Sequence, residues 1–249
     1  MTDAAAPGPV LILGARSDIG IAAAHAFAAR GHAIQLALRG PDRAAADAAD
    51  IALRHGVTVT CHGFDVLDGQ SHGAFIDNLP ELPHIVVCAV GLMGDQDRNR
   101  ADPARAALVL RSNLEGPAAI LERLAERFAA RGSGVIIGIS SVAGDRGRAA
   151  NYLYGAAKAG FTAWLSGLRQ RLSNSGVRVV TVKPGFVRTA MTDGLRLSPL
   201  LTASPAQVAQ RIVAASRGGS EVIYVQRRWW LVMAIVKLLP EALFKRTRF

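Results

Sequence analysis

A chain of 249 residues, half of them apolar and 19% charged, can bury a large core and is neither disordered nor fibrous. Its net charge of +10 fits nucleic acid, an anionic cofactor or an anionic membrane surface. The basic residues are dispersed and form no stripe interleaved with aromatics, which argues against nucleic acid. The two cysteines, Cys61 and Cys88, form no C-x-x-C, and none of the six histidines has metal-ligand spacing. A reduced, cytoplasmic protein without a metal is expected, and the opening MTDAAAPGPV does not read as a signal peptide.

Val10 to Leu13 is an apolar run ending in glycine, as in a buried parallel strand. Helical periodicity follows over Ile19–Arg30, a second strand over Ala33–Leu38 and a helix over Asp42–Arg54. Further strands are predicted at Val57–Cys61, Ile85–Val90, Gly134–Ile139, Val177–Val182 and Glu221–Val225. Helices are predicted at Ser71–Asn78, Pro103–Arg131 with a break at Gly116-Pro117, Asn151–Ser173 and Pro205–Ser216. This alternation predicts a single α/β domain over residues 1–226. Its core would be a doubly wound, Rossmann-type sheet of seven parallel strands with helices on both faces.

The stretch Ser141 to Lys158, SVAGDRGRAANYLYGAAK, holds the candidate chemistry. Tyr154 and Lys158 lie four apart and share one helix face. An ammonium beside a phenol stabilises the phenolate, and a serine hydroxyl at the same place would hold a substrate oxygen. The spacing alone equally describes an ordinary half-buried helix with a snorkelling lysine. Upstream, Gly14-Ala15-Arg16-Ser17-Asp18-Ile19-Gly20 joins the first strand to a helix, a turn that lets backbone approach a pyrophosphate or simply connects two elements.

Taken together, these residues resemble the short-chain dehydrogenase/reductases. Gly14 and Gly20 match the family's glycine loop, with Asp18 in place of its middle glycine and Leu13 in place of its threonine. Asp65, followed by Val66, resembles the adenine-contacting acid, and Asn113 the asparagine of the fourth helix. Ser141 precedes Tyr154 by the family's thirteen positions, and Pro184-Gly185 with Val187 and Thr189 resembles the segment against the nicotinamide. The family's N-N-A-G is here Cys88-Ala89-Val90-Gly91, so the missing amide hydrogen bonds must come from elsewhere. The resemblance implies a catalytic set of Ser141, Tyr154, Lys158 and Asn113, the last holding a proton-relay water. Tyr152 and Ser140 are neighbours without a role. It also implies a cofactor set of Gly14, Arg16, Ser17, Asp18, Ile19, Gly20, Arg39, Asp65, Val66, Ala89, Gly91, Tyr154, Lys158, Pro184, Gly185, Val187 and Thr189. Lys158 is expected to lower the Tyr154 pKa.

NAD-preferring members carry an acid after the second strand, where this chain has Leu38 and Arg39. An arginine there pairs with a 2′-phosphate, with Arg16 and Arg43 in support, so NADP(H) is expected over NAD(H). In this family residues 186–204 cover the substrate. Met191, Leu195, Leu197, Leu200 and Leu201 make that stretch apolar, and Arg188 and Arg196 make it basic. A long lipid or lipid-phosphate substrate fits such a lid, as does a loop whose leucines pack on the body. The tail from Arg227 to Phe249 reads as an interfacial helix at the inner face of the cell membrane, or as a helix packed on protein. GLMGD, SSVAGDRGRAANYLYGAAKAG, VKPGFVRTAMT and the basic, hydrophobic tail together resemble one branch of the family, the decaprenylphosphoryl-2-keto-erythro-pentose reductases, and the resemblance implies a lipid-linked keto-pentose. The alternatives are a soluble reductase of a small or lipophilic ketone and, against the intact catalytic set, a cofactor-sensing regulator. The resemblance also implies a homodimer or homotetramer.

Overall fold

The computed structural model describes residues 7–194 and 197–247. Strands β1 (Val10–Leu13), β2 (Ile34–Leu38), β3 (Val59–Gly63), β4 (Ile85–Cys88), β5 (Gly134–Ile139) and β6 (Val177–Lys183) form one parallel sheet. Two short strands, β7 (Phe186–Val187) and β8 (Thr202–Ala203), pair with each other, and β9 (Val222–Tyr224) closes the main sheet. Its order is β3-β2-β1-β4-β5-β6-β9, so the winding reverses between β1 and β4. In such sheets a crevice opens at the carboxyl ends of the strands at this switch point.

Successive strand residues alternate between two cores, as a pleated strand requires. Val10 and Ile12 pack with α1 (Asp18–Ala28), α2 (Ala45–His55) and, further along the chain, a helix over Pro205–Ser216. Leu11 and Leu13 face the other layer. It is built from α3 (His72–Asp77), a helix over Gly116–Arg131 carrying Phe128, and one over Tyr152–Arg171 carrying Phe161 and Leu165. Both faces of the sheet are covered, which explains why most of its strands are apolar on both sides.

The long helix expected from Pro103 is built differently. A short α4 (Gln96–Ala101), absent from the sequence reading, precedes α5 (Pro103–Leu110). A π turn over Arg111–Glu115 then leads into α6 (Gly116–Arg131). Helical backbone runs unbroken through the π turn into Pro117, so Gly116-Pro117 does not break the helix but marks its change from π to α. The helix expected from Asp42 begins as a 3₁₀ turn over Pro41–Ala44. After α7 (Tyr152–Arg171) and α8 (Pro205–Ser216), the tail folds as α9 (Arg227–Leu238) and α10 (Glu241–Phe244). Trp229, Met233 and Val236 of α9 form a third apolar cluster with Val142. Leu195 and Arg196, expected in the lid, lie outside the described residues.

A buried ionic group sits at the β6 end of this cluster. Lys183 pairs with Asp145, and the Tyr224 hydroxyl donates to the second Asp145 oxygen at 2.7 Å.

Candidate active site

Two cavities open at the switch point. The first, about 380 Å³, is lined by Ser141, Tyr154, Lys158, Pro184, Gly185, Val187 and Thr189. The second, about 540 Å³, is lined by Gly14, Leu38, Arg39, Arg43, Asp65 and Val66. They meet over Arg16, Ser17, Ala89, Val90 and Gly91, while Asp18 and Ile19 belong to the first alone. One continuous crevice therefore runs from the end of β2 to the tyrosine of α7.

The glycine turn is shaped to keep side chains out of this crevice. Gly14 has φ of +79°, a conformation open to glycine, and a Cβ there would lie 2.9 Å from the Val90 backbone nitrogen. Ser17 caps α1, accepting from the Gly20 N–H at 3.0 Å and donating to the Gly14 carbonyl at 2.9 Å. Gly20 lines neither cavity: a Cβ there would lie 2.8 Å from the Gly14 oxygen, so its place in the motif is one of packing within the turn. Asp18, the departure from the family loop, accepts from the Ala190 N–H at 2.8 Å and ties the turn to residues 186–204.

Asn113 sits in the π turn over Arg111–Glu115. It is fully buried and lines neither cavity. Its amide donates to the Leu92 carbonyl at 2.6 Å and the Val109 carbonyl at 2.8 Å, and its oxygen accepts from the Leu92 N–H at 3.2 Å. The amide support missing from Cys88-Ala89-Val90-Gly91 thus comes across from the π turn. The Asn113 side chain holds the loop beside Gly91.

Tyr154 is half-buried, with its ring on the cavity wall, and Lys158 is buried one turn further along α7. Burial pushes the Tyr154 phenol up to about 12, partly offset by a hydrogen bond from Ser141. The expected lowering by Lys158 is not found. The Lys158 ammonium donates to the Ile139 carbonyl at 3.0 Å and lies 5.7 Å from the Tyr154 ring centroid, and burial lowers its own pKa to about 8. Ser141 also accepts from the Ala143 N–H at 3.1 Å, which fixes its hydroxyl at the mouth of the β5 turn. Ser140 instead donates to the Lys158 carbonyl at 3.0 Å and contacts the Thr162 hydroxyl, anchoring α7 to β5. Tyr152 is 43% exposed and points away.

The lowered Lys158 pKa has a stability consequence. The unfolded chain binds this proton below its ordinary value of 10.5, the folded chain only below about 8. Stability from this group is therefore complete above 10.5 and is lost as pH falls from 10.5 to 8. Lys158→Met removes the cost of burying the charge. Its melting temperature is expected to exceed that of the parent below pH 8, with the gap closing towards pH 10.5. A gap independent of pH, measured by thermal melts across that window, would contradict this.

Sequence reasoning passed over Met93, Arg148 and Asn151, which line the first cavity beside Phe186 of the expected lid, and Trp229, which builds its wall from behind. The Trp229 indole nitrogen lies 1.8 Å from where a Gly185 Cβ would be and donates to the Leu201 carbonyl at 2.9 Å. Gly185 is glycine for room, since the indole fills the space beside it. The tail therefore backs the cavity wall.

The family model for short chain dehydrogenases matches residues 9–199. The chain belongs to the short-chain dehydrogenase/reductase family. An uncharacterised oxidoreductase of Mycobacterium tuberculosis is 34% identical over 241 residues, 96% of each chain. One from Streptomyces coelicolor is 36% identical over 243 residues, again 96% of each. Among solved structures, a short-chain dehydrogenase from Burkholderia cenocepacia in complex with NADP superposes with a TM-score of 0.83 at 19% identity, covering 97% of both chains. One from Sphingobium yanoikuyae in complex with NADPH gives 0.78 at 24% identity, covering 94% of this chain and 97% of that one. The fold is that of these short-chain dehydrogenases, and the protein is an oxidoreductase of this family.

Proposed function

We propose that the protein reduces a lipophilic ketone to a secondary alcohol with NADP(H) in preference to NAD(H). The observation that carries this reading is the single crevice holding Ser141, Tyr154 and Lys158 at one end and Arg39 and Arg43 at the other. Its residues fit a dinucleotide: the bare Gly14 turn and the capped N-terminus of α1 suit a pyrophosphate, and Asp65 with Val66 suits an adenine. Arg39, where an acid would favour NAD, suits a 2′-phosphate. When bound, the reduced nicotinamide supplies the hydride that adds to the carbonyl carbon.

The chain's own residues handle the oxygen. Ser141 donates to the carbonyl oxygen and stabilises its growing charge. Tyr154, held protonated by burial, gives its proton to that oxygen as the C–O bond becomes single. Lys158, one turn along α7, places its ammonium 5.7 Å from the Tyr154 ring centroid, where its charge favours the phenolate that results. Met93, Val142, Phe186 and Met191 make the substrate half of the cavity apolar, which supports a substrate with a long hydrocarbon part. Within that class, the sequence resemblance points to a polyprenyl-phosphate-linked keto-pentose. Leu110 and Tyr152, both partly exposed on α5 and α7, support assembly as a homodimer or homotetramer through those helices.

Arg39→Ala tests the cofactor preference. It is expected to weaken NADPH binding roughly 10- to 100-fold, the worth of about 1.5–3 kcal/mol for hydrogen bonds to a charged group, and to leave NADH binding unchanged. Equal affinities for NADH and NADPH in the parent protein, measured by fluorescence titration, would overturn it.

A further inference from the structure

The outer face of α9 has no partner among the described residues. Trp230, Leu231, Ile235 and Leu238 are all exposed, Trp230 by 61% and Leu238 by 83%. At about 100° per residue, these four and Ala234 fall on one solvent-facing arc. Lys237 borders one side of the arc and Arg228 the other, with Arg227 at its start. The helix contains no acid, and Lys245 and Arg246 follow it. An apolar arc edged by cations matches the acyl and headgroup layers of an anionic bilayer, with tryptophan at the level it favours there. The helix is about 18 Å long at 1.5 Å per residue, against about 30 Å of hydrocarbon, so it lies on a bilayer and does not cross one. No helix among the described residues is long and apolar enough to cross.

The inner face of the same helix backs the cavity wall. Trp229, 1% exposed, donates to Leu201, fills the notch at Gly185 and packs edge-on against Phe186 at 5.3 Å. Arg228 donates to the Leu200 carbonyl at 3.2 Å, and the Leu200 side chain is 70% exposed beside it. Residues 199–201 thus hang from the first turn of α9. Whatever holds the outer face of α9 also holds residues 199–201, and through Trp229 the Phe186 ring that lines the cavity.

We infer that α9 docks flat on an anionic lipid surface, setting residues 199–201 against the bilayer so that the cavity takes an apolar ketone directly from the lipid. This rests on the reductase reading of the cavity, and its test separates the two. The full chain is mixed with vesicles of phosphatidylcholine, with or without phosphatidylglycerol, and sedimented. Two ketones are then assayed with NADPH, a water-soluble one and a long-chain one dissolved in the vesicles. Binding is expected to anionic vesicles and to fall with salt. Leu231→Glu with Leu238→Glu, both exposed and outside the cavity, are expected to abolish that binding and to lower turnover of the long-chain ketone at least tenfold. Turnover of the soluble ketone stays unchanged. A parent chain that stays in the supernatant, variants that still sediment, or long-chain turnover unaffected by the variants would each overturn the proposal. So would a concentration-dependent oligomer of the parent that the variants lose, since a second copy would then cover this face. Loss of turnover on both ketones by the parent would defeat the reductase reading instead, while vesicle binding would still report on the surface.

Discussion

Replacing Tyr154 with phenylalanine is expected to lower turnover roughly 10²–10⁴-fold while nucleotide binding survives. The two side chains share volume and shape, so the ring keeps its place on the cavity wall. What is lost is the proton that the carbonyl oxygen must receive. Ser141 can still polarise that oxygen, but its hydroxyl is a poor acid, and Lys158 is turned to the Ile139 carbonyl. The matching control is Tyr152→Phe, two residues earlier and exposed, which is expected to change nothing. Steady-state turnover read beside fluorescence titration of NADPH distinguishes the outcomes. A Tyr154→Phe protein retaining most of its activity would remove the phenol from the chemistry.

The second large effect is on stability. Asp145→Ala leaves the buried Lys183 ammonium without its counter-charge and the Tyr224 hydroxyl without its acceptor. Breaking a buried pair in this way costs about 3–5 kcal/mol, a loss of roughly 6–20 °C in melting temperature for a chain of this size. Asp145→Asn keeps an acceptor for Tyr224 and is expected to lose less. The double change Asp145→Leu with Lys183→Met removes both charges together and is expected to recover much of the loss, because neither ion is then stranded. Thermal melts of the three variants decide it. Equal losses in the single and double variants would mean that packing, not charge, holds this corner.

The sequence made the sheet and the grouping of Ser141, Tyr154 and Lys158 legible, and the reasons are local. Strands such as Ile85–Cys88 are buried on both sides and declare themselves by unbroken apolar runs. The Tyr154–Lys158 spacing and the Ser141 offset are fixed by one turn and one helix, so they survive translation into three dimensions. What was not legible depends on distant partners. The π turn at Arg111–Glu115 goes with the Asn113 amide reaching Leu92, some twenty residues away, and no local pattern announces it. The pairing of β7 with β8 joins segments too short to carry a periodicity. The raised Tyr154 pKa reverses the expected shift because the phenol is buried and the lysine ammonium is directed to the Ile139 carbonyl. The tail divided two readings evenly, and the structure accommodates part of each: one face packs on the body, the other meets solvent.

The fit of the Trp229 indole into the space left by Gly185 also binds two distant positions into a single inheritable unit. A methyl at 185 collides with the indole, and a smaller residue at 229 leaves a void behind the cavity wall. Either change alone is harmful, and the two together can compensate. In descendants of this chain, positions 185 and 229 should therefore be exchanged as a pair. A randomised library selected for folding at both sites would be enriched in glycine with tryptophan, or in larger residues at 185 with smaller ones at 229, and depleted of the mixed combinations.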